Sequence, residues 1–280
     1  MSDPPGDAGR RGETFRAGFH ALSDLPRAGD VVQVDTDVGP MLLHADDRVI
    51  TPALRRHGTW DPAEAAFLRS AIKPGDTVID CGANVGYFTL LAAHAAGPAG
   101  LVIAVEPEPR NLALLRANVW LAGAANVEVL PVAAGRERGF LGLREAQAQN
   151  TGSFEAHDDW EPDDRIVLSL PLDDVLSGMT VDVVKVDVQG SDHDVIGGMR
   201  EALARSPGAV VLTEFWLDGM LTRGVPAQVV LDSYRASRRP LMLLADDGAT
   251  REAGDADIVA ACEAWEGRFV TIVLGAIERR

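Results

Sequence analysis

At residues 78–89 the sequence reads VIDCGANVGYFT, and this segment carries the strongest structural signal in the 280-residue chain. Its first residues are apolar and partly β-branched, which is typical of a strand buried on both faces. Gly82 and Gly86 predict a sharp turn that opens a helix and lets a ligand approach the backbone. Because the spacing is Gly82-x-x-x-Gly86, it departs from the G-x-G-x-x-G of nicotinamide and flavin sites and disfavours an oxidoreductase.

Strands and helices alternate along the chain after this turn. The strand candidates are short apolar runs at 77–81, 101–105, 127–132, 182–188, 209–215, 240–245 and 268–274. Helical segments lie between several of these strands, at 85–96, 109–122, 192–205 and 226–238. This alternation predicts an α/β fold with a doubly wound, mostly parallel sheet. The segment 246–256 resembles a loop rather than a crossover helix, so we expect the last two strands to pair antiparallel.

The flanking sequence divides the chain into three parts. Residues 1–30 are predicted to be a disordered or loosely ordered tail, because they are rich in proline, glycine and charge. Residues 31–75 form an N-terminal extension, a hairpin followed by a helix that opens at Asp61-Pro62. Residues 76–280 form the main domain. Within it, 139–165 is polar and irregular and is interpreted as an insertion that covers a ligand.

Composition and charge exclude several classes of function. Lysine and arginine number 26 against 42 acids, a net charge of −16, with an isoelectric point near 4.7. This balance disfavours partners such as nucleic acid or an anionic membrane, which both need clustered cations. No apolar run reaches the roughly 20 residues of a membrane span. Two cysteines, Cys81 and Cys262, do not make a disulfide framework, so we expect a reduced, cytoplasmic protein.

Glu106 is the second part of the predicted ligand site. It follows the strand at 101–105 and comes twenty residues after Gly86. A carboxylate in this position can accept hydrogen bonds from both hydroxyls of a ribose. The glycine turn and Glu106 together predict a site for an adenosine ligand that has no pyrophosphate.

Further motifs support one family. They are the turn at 80–87, Glu106-Pro107, the segments 172–175 and 184–190, Gly58-Thr59-Trp60 with Glu64, and Asn150-Thr151-Gly152-Ser153. This combination resembles the FkbM-type family of S-adenosylmethionine-dependent methyltransferases over roughly residues 31–245. The resemblance implies a seven-stranded class I methyltransferase fold and S-adenosylmethionine as cofactor. It also implies, most often, methylation of a hydroxyl on a natural product, such as an antibiotic, or on a sugar. The cofactor contacts expected from it are Asp80, Gly82, Ala83, Asn84, Gly86, Tyr87, Phe88, Glu106, Pro107 and Ala133.

Methyl transfer to an alcohol sets the catalytic requirements. The reaction is an in-line displacement, and a general base or a metal helps to remove the hydroxyl proton. The candidates at the carboxyl ends of the strands are Asp187 and Glu214, with His193 in the next helix as the best base by its ordinary pKa. Asp187 and Glu214 are alternatively ligands for Mg²⁺, which would hold a substrate diol, or part of a buried network with Lys185.

Several alternatives remain at the level of the sequence. The family more usually has glutamate where this chain has Gln189, and an amide cannot take a proton, so a non-catalytic partner protein stays open. N-methylation is a second alternative. Trp60 either covers the mouth of the site or packs in the core, and the loop residues Asn150 and Ser153 are candidate contacts. The acidic loop (Asp158, Asp159, Glu161, Asp163 and Asp164) is either a solvated surface or an attractor for a cationic acceptor. The exposed edge of the hairpin offers a route to a homodimer.

Overall fold

The computed structural model describes residues 29–145, 154–157, 161 and 164–275. The predicted tail lies almost entirely outside these residues, as do Asn150, Ser153 and most of the acidic loop. Within the described ranges, no helix combines the length and the apolar character that crossing a membrane requires.

The described residues form two kinds of regular element, labelled here in chain order. The strands are β1 (Val31–Thr36), β2 (Gly39–His44), β3 (Thr77–Cys81), β4 (Leu101–Val105), β5 (Val127–Leu130), β6 (Ala133–Ala134), β7 (Gly139–Glu145), β8 (Phe154–His157), β9 (Arg165–Leu170), β10 (Val183–Val186), β11 (Val210–Trp216), β12 (Leu241–Leu244), β13 (Thr250–Glu252) and β14 (Phe269–Leu274). The helices are α1 (Ile50–His57), α2 (Pro62–Ala71), α3 (Tyr87–Ala96), α4 (Pro109–Leu121), α5 (Leu172–Val175), α6 (Asp192–Gly197), α7 (Arg200–Arg205), α8 (Leu217–Thr222), α9 (Ala227–Arg235) and α10 (Asp255–Ala264).

An eight-stranded sheet in the order β13-β12-β14-β11-β10-β3-β4-β5 forms the centre of the fold. The five strands from β11 to β5 are parallel, and β14 runs antiparallel to both β11 and β12. The predicted α/β fold with a mostly parallel, doubly wound sheet is therefore confirmed, and the last two predicted strands pair antiparallel. The eighth strand, β13, is a short edge strand in a segment whose sequence predicts a loop.

Both faces of the sheet are buried, which explains why its strands are apolar throughout. Val78 packs in a cluster on one face, with Leu54 and Phe67 of the N-terminal extension. Its neighbour Ile79 packs in a cluster on the opposite face. Val183 and Val184 divide in the same way, because successive side chains of a strand point to opposite faces.

The N-terminal extension contains the predicted hairpin, β1 and β2, and the predicted helix α2. Asp61 caps α2, since its Oδ1 accepts a hydrogen bond from the Glu64 N–H at 3.1 Å, and Pro62 occupies the first helical position. Helix α1 is an additional element between them. This arrangement places Glu64 in the first turn of α2, where its side chain is buried.

The segment 139–165 differs from its prediction as an irregular insertion. Its described parts include β7 and β8, which join β9 and β6 in a four-stranded sheet. Two features explain why the sequence did not predict β7. Glycine and charged residues interrupt its apolar alternation, and the strand that pairs with it, β9, lies further along the chain. This small sheet lies beside the carboxyl ends of the central strands, where it lines the cavity described below.

Two helical predictions also need correction. The predicted helix at 192–205 is two helices, α6 and α7, separated at Gly198, where a Cβ atom would lie 2.0 Å from the Gly135 carbonyl oxygen. The segment before the last strand contains α10, which begins at the end of the predicted loop 246–256, although the sequence predicts no crossover helix there. Only Ile258 and Cys262 of α10 are buried, so its apolar face is too narrow to give a clear periodic pattern.

Candidate active site

Four parallel strands end in one row of residues at the edge of the sheet. Val105 pairs with Cys81 in the sheet register. Val186 lies beside Cys81 on one side and Thr213 on the other. The next residues along these four strands are level with one another, and all line a cavity of about 720 Å³: Glu106, Gly82, Asp187 and Glu214. Since neighbouring strands are about 4.8 Å apart, the row spans about 14 Å, which suits an elongated ligand.

The glycine turn admits no larger residue at Gly82. A Cβ atom there would lie 1.9 Å from the carbonyl oxygen of Asp187, and the φ angle of +78° is in the left-handed region. The N–H groups of Gly82 and Ala83 both donate to the Val105 carbonyl, at 3.0 and 3.1 Å. The turn therefore presents backbone rather than bulky side chains to the cavity.

Glu106 is fixed beside this turn by the backbone. Its Oε2 accepts a hydrogen bond from the Asn84 N–H and its Oε1 from the Glu108 N–H, both at 2.8 Å. Burial raises the pKa of Glu106 to about 8, although the Asn84 hydrogen bond opposes the shift. Each carboxylate oxygen keeps a second lone pair, so the carboxyl group can still accept ligand hydroxyls.

Asn84 gives a direct test of whether a polar ligand fits this end of the cavity. It lines the cavity, and its side-chain oxygen Oδ1 is buried without a hydrogen-bond partner. A buried acceptor left unpaired costs about 1–3 kcal/mol. A donor group of a bound ligand would remove that cost, as an adenosine ligand with an amino-acid arm can.

The other predicted cofactor residues fall into two groups. Those that line the cavity with Gly82, Asn84 and Glu106 are Ala83, Tyr87, Phe88, Pro107 and Ala133. Asp80 and Gly86 instead hold the turn. Asp80 is buried in β3 and its Oδ2 accepts a hydrogen bond from Thr89 Oγ1 at 2.6 Å. Gly86 packs on α4, where a Cβ atom would lie 2.7 Å from Leu115 Cδ1.

The opposite end of the row carries a cluster of three carboxylates and one lysine. Lys185 Nζ lies 2.9 Å from Asp187 Oδ2 and 3.9 Å from Glu64 Oε2. It also lies 4.5 Å from the centre of the Phe88 ring, and the residue is only 2% exposed. Burial alone would lower the pKa of Lys185, but the neighbouring carboxylates raise it above its usual value. The lysine is therefore a fixed positive charge, and the buried network predicted from the sequence is present.

Glu64 and Glu214 are the carboxyl groups of this cluster with raised pKa values. Glu64 Oε1 accepts a hydrogen bond from Thr271 Oγ1 at 3.0 Å, and burial raises the pKa of Glu64 to about 7, against the charge of Lys185. Burial, with the charges of Asp187 and Glu64, raises the pKa of Glu214 well above its usual value. Carboxyl groups with raised pKa values are suited to accept a proton near neutral pH.

The predicted magnesium ligands, Asp187 and Glu214, both lie in this cluster, but the donor set does not fit a metal ion. Asp187 Oδ2 accepts a hydrogen bond from Lys185, and its Oδ1 accepts one from Gln189 Nε2 at 3.1 Å. Across the residues that the structure describes, no group of three or more His, Cys, Asp or Glu side chains could hold a metal ion. Lys185 supplies the positive charge that the sequence interpretation assigned to Mg²⁺.

His193, the predicted general base, is close to the cavity without lining it. The lining residues of the described chain include Ser191 and Asp194 but not His193. Its ring Nε2 lies 3.6 Å from Asp194 Oδ1. Burial lowers the pKa of His193; Asp194 opposes this shift, and the charges of Arg136 and Arg223 add to it. The histidine is thus kept neutral in the wall behind the cavity, and its sequence position in a first helical turn did not reveal this orientation.

The remaining wall comes mainly from the segment 139–165, which the sequence predicts to cover a ligand, and from Trp60. The larger apolar residues of β7 and β8 that line the cavity are Phe140, Leu141, Leu143 and Phe154, with Ala156 beside them. Trp60 combines both of its predicted roles, because it lines the cavity and packs against the core cluster of the N-terminal extension. An apolar wall opposite a polar row is typical of small-molecule sites.

The strand order and the glycine turn define a class I methyltransferase fold. Residues 80–218 match the family model for the methyltransferase FkbM domain. These residues therefore belong to the FkbM methyltransferase family. The matched segment contains Glu106, Asp187 and Glu214, whereas Glu64 and Thr271 lie outside it.

Two curated relatives match shorter segments of the chain. An arsenite methyltransferase of Halobacterium salinarum is 42% identical over 59 residues, which cover 21% of this chain and 15% of the relative. The 31-O-demethyl-FK506 methyltransferase FkbM of Streptomyces tacrolimicus is 46% identical over 57 residues, which cover 20% of this chain and 22% of the relative. The chain thus spans less than a quarter of the length of either relative.

Solved structures similar to the chain include two bacterial methyltransferases. Methyltransferase FkbM from Methylobacillus flagellatus is 15% identical with a TM-score of 0.47, and the match covers 73% of this chain and 47% of that chain. A SAM-dependent methyltransferase from Aquifex aeolicus is 16% identical with a TM-score of 0.40, and the match covers 76% of this chain and 89% of that chain.

Proposed function

We propose that the protein transfers a methyl group from S-adenosylmethionine to a hydroxyl group of a small molecule, such as a natural product or a sugar. One observation carries this proposal: two carboxyl groups lie in one row along the same cavity. Glu106 can accept hydrogen bonds from ribose hydroxyls, and Glu214 can accept a proton. The family match at 80–218 supports the reaction class. The net charge of −16 disfavours nucleic acid as the acceptor.

The cofactor end of the row would hold the donor. Glu106 would accept the ribose hydroxyls, and the turn at Gly82 and Ala83 would let the amino-acid arm approach the backbone. Bound S-adenosylmethionine supplies an activated methyl group on a sulfonium. The unpaired Asn84 Oδ1 gives this end one more acceptor for a donor group.

The carboxylate cluster would remove the proton of the acceptor hydroxyl. Glu214 lines the cavity, and burial together with the charges of Asp187 and Glu64 raises its pKa. We therefore assign Glu214 as the base that accepts the proton of the acceptor hydroxyl. Lys185 holds Asp187 in place through the 2.9 Å ion pair. Glu64 also lines the cavity, and we assign it a positioning role because its charge raises the pKa of Glu214.

Donor binding tests the cofactor end. We expect the protein to bind S-adenosylhomocysteine in calorimetry, and Glu106→Gln to weaken binding about tenfold, since the amide replaces one accepting oxygen by an NH₂ group and a buried group left unpaired costs about 1–3 kcal/mol. Glu128→Gln is the matched control, because Glu128 is exposed on β5. Equal affinities of the wild type and Glu106→Gln would contradict the ribose assignment.

The pH profile of methyl transfer tests the carboxylate cluster. A base works only when deprotonated, so the rate should fall as the pH falls through the raised pKa of Glu214. Glu214→Gln should lower the rate about 10²–10⁴-fold. Glu64→Gln should retain activity and move the midpoint to lower pH, because it removes a like charge. Transfer from labelled donor to a panel of glycosides and polyketides measures both, and an unchanged profile in both variants would remove the cluster from the mechanism.

A further inference from the structure

Arg223 is a cation of the cavity wall that has no acidic partner among the residues the structure describes. It follows α8, lines the cavity, and donates a hydrogen bond from Nη1 to the Ala156 carbonyl of β8. The other cations that line the cavity each have a carboxylate partner: Arg136 with Asp194, Arg138 with Asp174 and Lys185 with Asp187. Among the residues described, Arg223 alone of these four has no carboxylate oxygen within 4.0 Å.

Ser191 gives an independent observation on the same wall. The residue lines the cavity, is 7% exposed, and its Oγ is buried without a hydrogen-bond partner. A buried hydroxyl in this state is costly, and an acceptor atom of a ligand would satisfy it.

Packed backbone connects Ser191 to Arg223. Gly190, the neighbour of Ser191, lies against α8, since a Cβ atom there would be 3.5 Å from Gly219 Cα. The Arg223 N–H donates to the Gly219 carbonyl at 3.2 Å, which places Arg223 one helical turn further on. The lowered pKa of the nearby His193 reflects the positive charge of this wall, in addition to burial.

We propose that Arg223 and Ser191 bind an anionic oxygen group, a carboxylate or a phosphate, on the methyl acceptor. This assignment rests on the proposed function, because it concerns the acceptor side of the same cavity. A guanidinium presents paired donors that match either anion, and the serine hydroxyl adds a third. Glu214 and its neighbouring carboxylates repel an anion, so the acceptor is oriented with its charge on Arg223 and a hydroxyl toward Glu214.

Sugars that differ in charge test this assignment. Binding of glucose, glucuronate, glucose 6-phosphate and glucosamine to the full chain is measured by calorimetry, with and without S-adenosylhomocysteine. We expect at least one anionic sugar to bind about tenfold more tightly than glucose, and the two anionic arms distinguish a carboxylate site from a phosphate site. Arg223→Gln should reduce the preference to less than about twofold, and Ser191→Ala should weaken it severalfold.

Controls keep the result interpretable. Arg116→Gln, at an exposed position of α4, should retain the preference. Arg223→Lys keeps the charge without the paired donors and should retain part of it, which serves if Arg223→Gln does not fold. Equal binding of all four sugars, tightest binding of glucosamine, or an unchanged preference in Arg223→Gln would each overturn the assignment. Failure of the wild type to bind S-adenosylhomocysteine would instead overturn the proposed function, because the sugar preference is also measured without it.

Discussion

The two ends of the strand row are built in different ways. At the cofactor end, the backbone determines the geometry: Gly82 leaves no room for a Cβ atom, and two N–H groups hold the Glu106 carboxylate. The opposite end, which carries the carboxylate cluster, is called here the acceptor end. Its geometry is determined by side chains from distant segments, such as Glu64 of α2, which accepts a hydrogen bond from Thr271 of β14. The first end depends on a few consecutive residues, whereas the second depends on charge balance among side chains that only the complete fold brings together.

This difference has a functional consequence. An end whose geometry is set by the backbone is suited to a single ligand and tolerates few substitutions. An end built from side chains and a small added sheet can change its acceptor by substitution without disturbing the turn, which fits a fold that carries many functions on one scaffold.

The largest expected effect is at Lys185, whose positive charge compensates the carboxylates of the acceptor end. Lys185→Met leaves the buried Glu64 and the half-buried Asp187 without their cation and should lower the free energy of unfolding by about 3–5 kcal/mol near pH 8. The loss should shrink as the pH falls below about 7, because Glu64 becomes protonated and uncharged. Urea unfolding at several pH values measures it.

Lys73 provides a matched control for this prediction. It is the other lysine of the chain and is exposed, so Lys73→Met should change stability by no more than about 0.5 kcal/mol. Similar losses in both variants would show that charge balance does not hold the cluster together.

Gly82→Ala should have the next largest effect and acts on the cofactor end. The added methyl group meets the Asp187 carbonyl at 1.9 Å and the backbone is left-handed, so we expect a loss of about 2–4 kcal/mol together with loss of donor binding. The control is Gly208→Ala, whose Cβ atom would have no heavy atom within 4 Å. If Gly82→Ala unfolds at the same urea concentration as wild type, the close packing of the turn is wrong.

Sequence patterns place the glycine turn and Glu106 at one end of the row because the determinants of this end are local; the role of each residue toward the cofactor stays a prediction. The strand, the turn and Glu106 are each signalled by adjacent residues, and the acids Asp187 and Glu214 stand at the ends of recognisable strands. The same logic fails for His193, because sequence position gives its helix but not the direction of its side chain.

The acceptor end is less predictable because its contacts are distant in sequence. Glu64 appears in the sequence only as part of a family motif, and its partner Thr271 is 207 residues away. The small sheet was missed for a related reason, since β7 becomes a strand by pairing with β9 across a polar segment. Arg223 gives no sequence signal, because its importance depends on which side chains surround it in the folded protein.

The smallest expected effect is at Arg144, which separates the two ends most clearly. Arg144 of β7 donates two hydrogen bonds to Asp164, at 2.9 and 2.8 Å, within the small sheet. Burial alone would raise the pKa of Asp164, but this pairing lowers it below its usual value. A lowered carboxyl pKa stabilises the fold above the unfolded pKa, and this contribution is lost as the pH falls through the folded value. Arg144→Gln should therefore cost about 1 kcal/mol at pH 7 and progressively less as the pH falls below the ordinary aspartate pKa of 3.8.

The same variant should leave S-adenosylhomocysteine affinity unchanged while it alters the binding of acceptors, because Arg144 lies on β7, whereas Ala133, the predicted cofactor contact of the small sheet, lies on β6. Calorimetry with the donor product and with the charged sugars compares the two, and Arg251→Gln, at an exposed position of β13, is the matched control. An equal loss of affinity for both kinds of ligand would mean that the small sheet supports the turn as well, and that the two ends are one structural unit rather than two.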